Sequence, residues 1–231
     1  DAAAWAQIAA NGSWQQVRQN LNTFQRHGVF ADQANVRLVA DKLRDAEAIA
    51  RARVLPYQLL TAFQAASADM PHAIRDALQD AMELAVQNVP SIQGNVVVCP
   101  DVSGSMSSPV TGYRGSATSQ TTCVDVAALV SAAMLRTNPH AQVLPFETRV
   151  VDVRLNPRDS IMTNAAKLAS VGGGGTACSA PLAELNRKKA EVDLLIMVSD
   201  NESWADREQQ WNSKTSLMQE WDKLKRRCPR A

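Results

Sequence analysis

Histidine is scarce in this chain: of 231 residues only His27, His72 and His140 carry an imidazole, and none lies beside a motif. A P-loop GxxxxGK(S/T), an HExxH and a GxSxG are all missing. The glycine run Gly172–Gly175 has no lysine with which to grip a phosphate. Two carboxylates on a metal could still activate water, but the chain offers little else for catalysis, and it is not expected to be an enzyme. No apolar run reaches the length of a bilayer span, and no signal peptide is visible, so no membrane partner is expected. The four cysteines, Cys99, Cys123, Cys178 and Cys228, form no CxxC pair. Reduced thiols in a cytoplasmic protein are the expectation. A net charge of +1 excludes a global field for nucleic acid, so such a partner needs a local patch. Aromatic residues are only 5%, against 45% hydrophobic and 20% charged, an ordinary globular composition.

Asn95–Met106, NVVVCPDVSGSM, is the stretch around which the rest is organised. Val96, Val97 and Val98 read as a buried strand that stops at Pro100. Asp101, Ser103 and Ser105 then place three oxygen-bearing side chains at i, i+2 and i+4, with Gly104 letting the backbone come close. Short oxygen ligands on a loop suit a hard cation such as magnesium. An Asx-type turn accounts for DxSxS equally well by itself. Two later stretches tip the balance. Gly172–Thr176, GGGGT, sets a hydroxyl before a helical pattern, and Leu194–Asp200, LLIMVSD, is a second buried strand closed by a carboxylate. Ligands of open α/β sheets bind outside the carboxyl ends of the strands. Asp101, Ser103, Ser105, Thr176 and Asp200 together resemble the metal-ion-dependent adhesion site (MIDAS) of von Willebrand factor A (vWA) domains, with all five positions present in order.

Residues 2 to about 90 read as helices throughout. Ala2–Ala10 is a short Ala-rich helix ended by Asn11-Gly12, and Ser13 reads as the N-cap of one helix running to about His27, which Gly28 stops. Asp32 caps the next, through Leu43; Asp45 to Val54 and Tyr57–Ala66 behind Pro56 follow. Pro71 opens a long amphipathic helix ending near Val89-Pro90. Helix pairs without strands indicate an α-solenoid end rather than a closed bundle. From Asn95 strands and helices alternate, as in βαβ units. Val124 to Leu135 is a helix, Gln142–Pro145 and Arg149–Val153 are short strands, and residues 159–170 and 178–190 are helices. Asp193–Ser199 is a central strand and Ser213 to Arg227 a last helix. The fold class is therefore α+(α/β), with domains at 1–90 and 91–231. A six-stranded doubly wound domain needs one more strand and helix, so the chain is expected to be a fragment or to have its fold completed elsewhere. Its true N-terminus is expected upstream of Asp1.

With both halves read, a family resemblance becomes specific. NLNTFQRHGVF (Asn20–Phe30) and ARARVLPYQLLTAFQA (Ala50–Ala65) look like the last repeats of the TROVE module. CPDVSGSM, GGGGT and VSDNESW look like the vWA domain that follows it. This order is similar to that of bacterial relatives of the Ro autoantigen. The resemblance makes 1–90 the C-terminal part of a HEAT-like helical ring and 91–231 most of a Rossmann-like vWA domain, without its last strand and helix. It implies an RNA-binding protein of RNA quality control. Such rings take single-stranded 3′ ends of misfolded RNA through the hole, bind structured Y RNAs on the outside, and in bacteria can work beside an exoribonuclease. At the metal site it implies Ser103, Ser105 and Thr176 as direct or near-direct ligands, with Asp101 and Asp200 anchoring through waters or directly. Magnesium is the expected ion, with manganese and calcium as alternatives, and an open position could take a carboxylate from a protein partner. Ala177 stands where many relatives place Asp or Asn, which weakens the support around the ligands. Glu202 and Ser179 are lesser candidates, and Cys178 reads as packing.

Between Arg18 and Arg53 seven basic residues face four acidic ones, an excess of three. That excess could contact phosphates, with Arg18, Arg26 and His27 as the RNA-binding candidates. The competing reading is a solvated helix face with intrahelical pairs. Relatives often carry Arg immediately before the Asn that is Asn20 here; this chain has Gln19 there and Arg18 one step back. Trp204 could stack on a base or pack over the site. The rival to RNA binding is a metal-dependent vWA adaptor that binds protein alone.

Overall fold

The computed structural model describes residues 1–200 and 216–231. Its backbone forms two units, Asp1–Val89 with Ser119–Thr121, and Pro90–Thr118 with Thr122–Ala231. Among the described residues no helix is long and apolar enough to cross a membrane.

The first unit is helical: α1 (Ala2–Asn11), α2 (Trp14–Gln19), α3 (Leu21–Arg26), α4 (Gln33–Leu43), α5 (Ala46–Ala52), α6 (Pro56–Ala65) and α7 (His72–Ala85). Capping follows the sequence. Asp32 and Asp45 accept from the backbone amides of Ala34 and Ala48, and Ser13 forms a capping box with Gln16. The single helix expected from Ser13 to His27 is instead two. Asn20 Nδ2 donates to the Gln16 carbonyl at 2.8 Å, the acceptor its own amide would use in a continuing helix. That amide turns to Val17 O at 3.2 Å, so a local side-chain bond interrupts the ladder. Gly28 then leaves α3 with φ +73°, a conformation glycine adopts without strain. The apolar face of α7 (Ile74, Leu78, Met82) is fully buried against α4, α5 and α6. Burial of each such side chain contributes roughly 1.5–3 kcal/mol, which is what holds short helices of weak intrinsic stability.

The second unit is a parallel sheet covered by helices. Strand β1 (Val96–Pro100) lies between β2 (Gln142–Val143) and β3 (Leu194–Val198), in the order β2-β1-β3. The β1–β3 register runs from Val96 opposite Leu194 to Pro100 opposite Val198. All five residues of β1 are buried, as expected of a strand covered on both faces. Val97 and Cys99 join Leu144, Phe146, Leu185 and Leu224 in one core cluster, under α10 (Ala180–Arg187) and α11 (Ser216–Arg227). α8 (Cys123–Thr137) packs on β1 and on α9 (Ile161–Ala169). Its alanines allow the close approach.

The strand expected over Arg149–Val153 does not form. The chain turns back after β2 through Phe146–Arg149, with only a single antiparallel bridge, Phe146 to Val150. Glu147 N donates to Arg149 O and Val151 N to Pro145 O, while Pro145 has no amide to extend a ladder. The last helix is described from Ser216; its expected start at Ser213 lies outside the described residues.

Candidate functional site

Asp101 is the first residue beyond β1, and both neighbouring strand ends hold it. Its amide donates to Val198 O at 2.9 Å, and it bridges to Phe146. The carboxylate is 0% exposed. Oδ1 accepts from Ser103 N at 2.9 Å, the Asx turn the spacing allows, and Oδ2 accepts from Ser199 Oγ at 2.6 Å. No basic side chain pairs with it among the described residues. A buried charge in that position calls for a compensating cation or dense hydrogen bonding.

The hydroxyls converge on the same strand end. Ser103 Oγ and Ser105 Oγ lie 3.2 Å apart, close to the separation of about 3.0 Å between adjacent oxygens of an octahedral ion with bonds near 2.1 Å. Two backbone bonds tie their loop to the glycine loop: Gly173 N to Val102 O at 2.8 Å and Gly104 N to Gly174 O at 2.9 Å. Gly172 permits this approach. Its φ is +87°, and a Cβ there would sit 2.2 Å from Val102 O. Thr176, buried at 1% exposure, follows directly on this tethered loop. Asp200 lies two residues after Val198, whose carbonyl receives the Asp101 amide. Its charge reaches the start of α8, where the Cys123 thiol is raised first by burial and then by Asp200.

The structure thus brings Asp101, Ser103 and Ser105 into one hydrogen-bonded group, and sets Thr176 and Asp200 on loops at the same sheet edge. Among the described residues no three His, Cys, Asp or Glu side chains cluster to hold an ion. Asp101, Ser103, Ser105, Thr176 and Asp200 offer two carboxylates and three hydroxyls, oxygen donors of the kind a hard cation takes. Ser179 sits at the N-cap of α10. Cys178 is buried in the core cluster, whereas Glu202 and Trp204 lie outside the described residues. Sequence reasoning missed two residues here, Ser199, which donates to Asp101, and Glu147, whose Oε2 accepts from Gly174 N at 2.8 Å on the glycine loop. Ser199 could have been suspected as the hydroxyl beside Asp200 at a strand end. Glu147 carries no motif.

The basic candidates fare differently. Arg18 donates through Nε and Nη2 to Gln15 Oε1 and through Nη1 to the Gln58 carbonyl. Burial holds its pKa below the usual guanidinium value. It borders a cavity of about 170 Å³ with Gln19, Asn22 and Thr61. Arg26 donates to Thr23 Oγ1, and His27 stacks on Trp5 with ring centroids 5.0 Å apart. Several other charges of the basic stretch are already engaged. Lys42 donates to the carbonyls of Ala9, Ala10 and Gly12 behind α1, Arg44 pairs with Asp80 at 2.6 Å, and Arg51 lies 3.6 Å from Glu47.

The family described as the Ro60 vWA domain matches residues 95–221. The RNA-binding protein RO60 of Deinococcus radiodurans is 30% identical over 215 residues, 87% of this chain and 39% of that protein. The RNA-binding protein RO60 of Caenorhabditis elegans is 24% identical over 184 residues, 75% of this chain and 28% of that protein. The crystal structure of the Deinococcus radiodurans RO (RSR) protein aligns with a TM-score of 0.75 and 27% identity, covering 96% of this chain and 45% of that one. The chain therefore spans less than half the length of these relatives.

Proposed function

Because the chain belongs to the Ro60 vWA-domain family, we propose that it acts as an RNA-binding protein of the Ro type. Its RNA partners would be misfolded or small non-coding, Y-like RNAs, single-stranded or structured, handled in RNA quality control. The observation that carries this reading is the extent of the likeness. The matched relative named an RNA-binding protein aligns over 87% of the chain, which takes in helical as well as sheet residues. Arg26 and His27, at the end of α3, would contribute phosphate contacts or stacking. Arg18 would do so only through the donors its neighbours leave.

The second half of the proposal is a divalent cation, magnesium first, held by Ser103, Ser105 and Thr176 with Asp101 and Asp200 around them. The buried Asp101 carboxylate, which has no basic partner among the described residues, and the 3.2 Å hydroxyl pair support it. A bound ion would supply a Lewis-acidic position for a carboxylate of a protein partner, an exoribonuclease among the possible ones. The chain's own residues anchor and orient: Ser199 and Ser103 fix the Asp101 carboxylate, and the glycine loop presents Thr176. No catalytic step is assigned to them.

Titration of single-stranded 3′-ended and Y-like RNA at two salt concentrations, with and without EDTA, tests this reading. Affinity should fall with salt by a log–log slope of about 0.7 per phosphate contact on single strands, and EDTA should leave it unchanged. Absence of binding at low salt sinks the RNA half. The engagement of Arg18 and Lys42 by backbone carbonyls and of Arg44 by Asp80 favours a second reading, a metal-dependent protein adaptor that binds no RNA. Magnesium-dependent capture of an acidic peptide without RNA binding would select it.

A further inference from the structure

Glu147 belongs to neither motif of the candidate site, yet it grips the loop that carries Thr176. It lies in the turn after β2. Its Oε2 accepts from Gly174 N at 2.8 Å, and its carbonyl accepts from Ala177 N, also at 2.8 Å. One residue therefore bonds the backbone on both sides of Thr176. The opposite edge of the same loop is bonded to the DxSxS loop through Gly173 N–Val102 O and Gly104 N–Gly174 O. The glycine loop is held between two supports, and Gly174 is where they meet. A Cβ on Gly174 would lie 2.6 Å from Glu147 Oε2, so the carboxylate occupies space that any other residue would fill.

We propose that Glu147 is a positioning residue of the candidate metal site, fixing residues 174–177 so that the Thr176 hydroxyl is presented at the strand end. The inference rests on the metal reading above and adds a residue to it. The physical reason is the weakness of a neutral hydroxyl as a ligand. Such a group contributes only if its loop is already ordered, since ordering backbone at the moment of binding opposes uptake. Groups that orient ligands without touching the ion typically alter metal affinity 10–100-fold. Here an acid from a neighbouring turn would serve a loop in which Ala177 offers no side-chain acceptor of its own.

The test is a calorimetric magnesium titration of the whole chain as wild type, Glu147→Ala and Glu147→Gln. The glutamine amide oxygen can still accept from Gly174 N, so Glu147→Gln keeps the clamp while removing the charge. Glu147→Ala should weaken magnesium binding about tenfold or more, and Glu147→Gln should restore most of that loss. Unchanged affinity in Glu147→Ala overturns the proposal. So does a Glu147→Gln variant as weak as Glu147→Ala, because charge rather than placement would then be at issue. Should Glu147→Ala fail to fold, Glu147→Asp, whose carboxylate is one carbon shorter, takes its place with the same expected contrast to Glu147→Gln. A wild type that takes up no magnesium removes the metal reading and this proposal together. That result differs from a wild type that binds and a variant that binds equally well.

Discussion

Asp101 places its carboxyl group where water does not reach it, and its two oxygens are held by Ser103 N and Ser199 Oγ. A hydrogen bond to a charged, buried acceptor contributes more than a neutral one. Ser199→Ala should therefore destabilise the metal-free protein by about 1.5–3 kcal/mol, read from the urea midpoint. An unchanged midpoint would show that this hydroxyl does not support the carboxylate. Cys99 illustrates the opposite case, a buried group that stays neutral. Burial pushes its thiol up to about 12, so it should resist iodoacetamide at pH 8 in the folded chain and react only in denaturant. Labelling in native buffer would contradict its burial. On α10, hydrogen bonds from Arg187 and Lys188 hold the Glu184 carboxyl down to about 2, from 4.5. A depressed folded value means that the contribution is present above pH 4.5 and is lost as pH falls toward 2. Glu184→Gln should flatten the thermal midpoint against pH within that window and change little above it. Identical profiles for the two proteins would rule the contribution out.

At the level of elements, two glycines with similar backbone show what a loop is for. Gly28 has φ +73° and open space around its missing Cβ, whereas Gly172 has φ +87° and Val102 O only 2.2 Å from that position. Gly28→Ala should destabilise by about 1–2 kcal/mol through the left-handed conformation alone. Gly172→Ala adds a clash with backbone, so it should destabilise more and also disturb the approach of the two site loops. Chemical denaturation of both variants gives the comparison, and equal shifts would mean that the loops can separate without loss. Element boundaries respond to the same kind of local competition. The α2/α3 break comes from one Asn side chain, and the missing strand after β2 comes from a turn that uses its amides within itself.

For the molecule as a whole, the two proposed ligands should be separable. Magnesium that binds the folded state alone raises stability by RT ln(1 + [L]/Kd), about 2.7 kcal/mol at one hundred times Kd. The thermal midpoint should therefore rise with magnesium in wild type. It should rise less in a Ser103→Ala, Ser105→Ala double variant, which lacks both converging hydroxyls. A double variant that gains as much as wild type would place the ion elsewhere. RNA affinity should be the same in both proteins and should respond to salt rather than to EDTA. Loss of RNA binding in the double variant would instead couple the two sites.

The sequence by itself determined what depends on neighbours along the chain. The valine run of β1, the caps at Asp32 and Asp45, the serines alternating after Asp101 and the hydroxyl after four glycines are all short-range patterns. Helix and strand periodicity together with side-chain reach of two to four residues made them legible. The Ro-type family order was legible for the same reason, since each motif is contiguous. The tertiary structure alone decided which loops meet. Ser199 reaches Asp101 across 98 residues, and Glu147 reaches Gly174 across 27. No local pattern encodes either contact, because both follow from the parallel order β2-β1-β3, which brings three strand ends to one edge. Whether a basic residue is free was equally hidden: Arg18 and Lys42 read as surface charges until packing set neutral carbonyls against them.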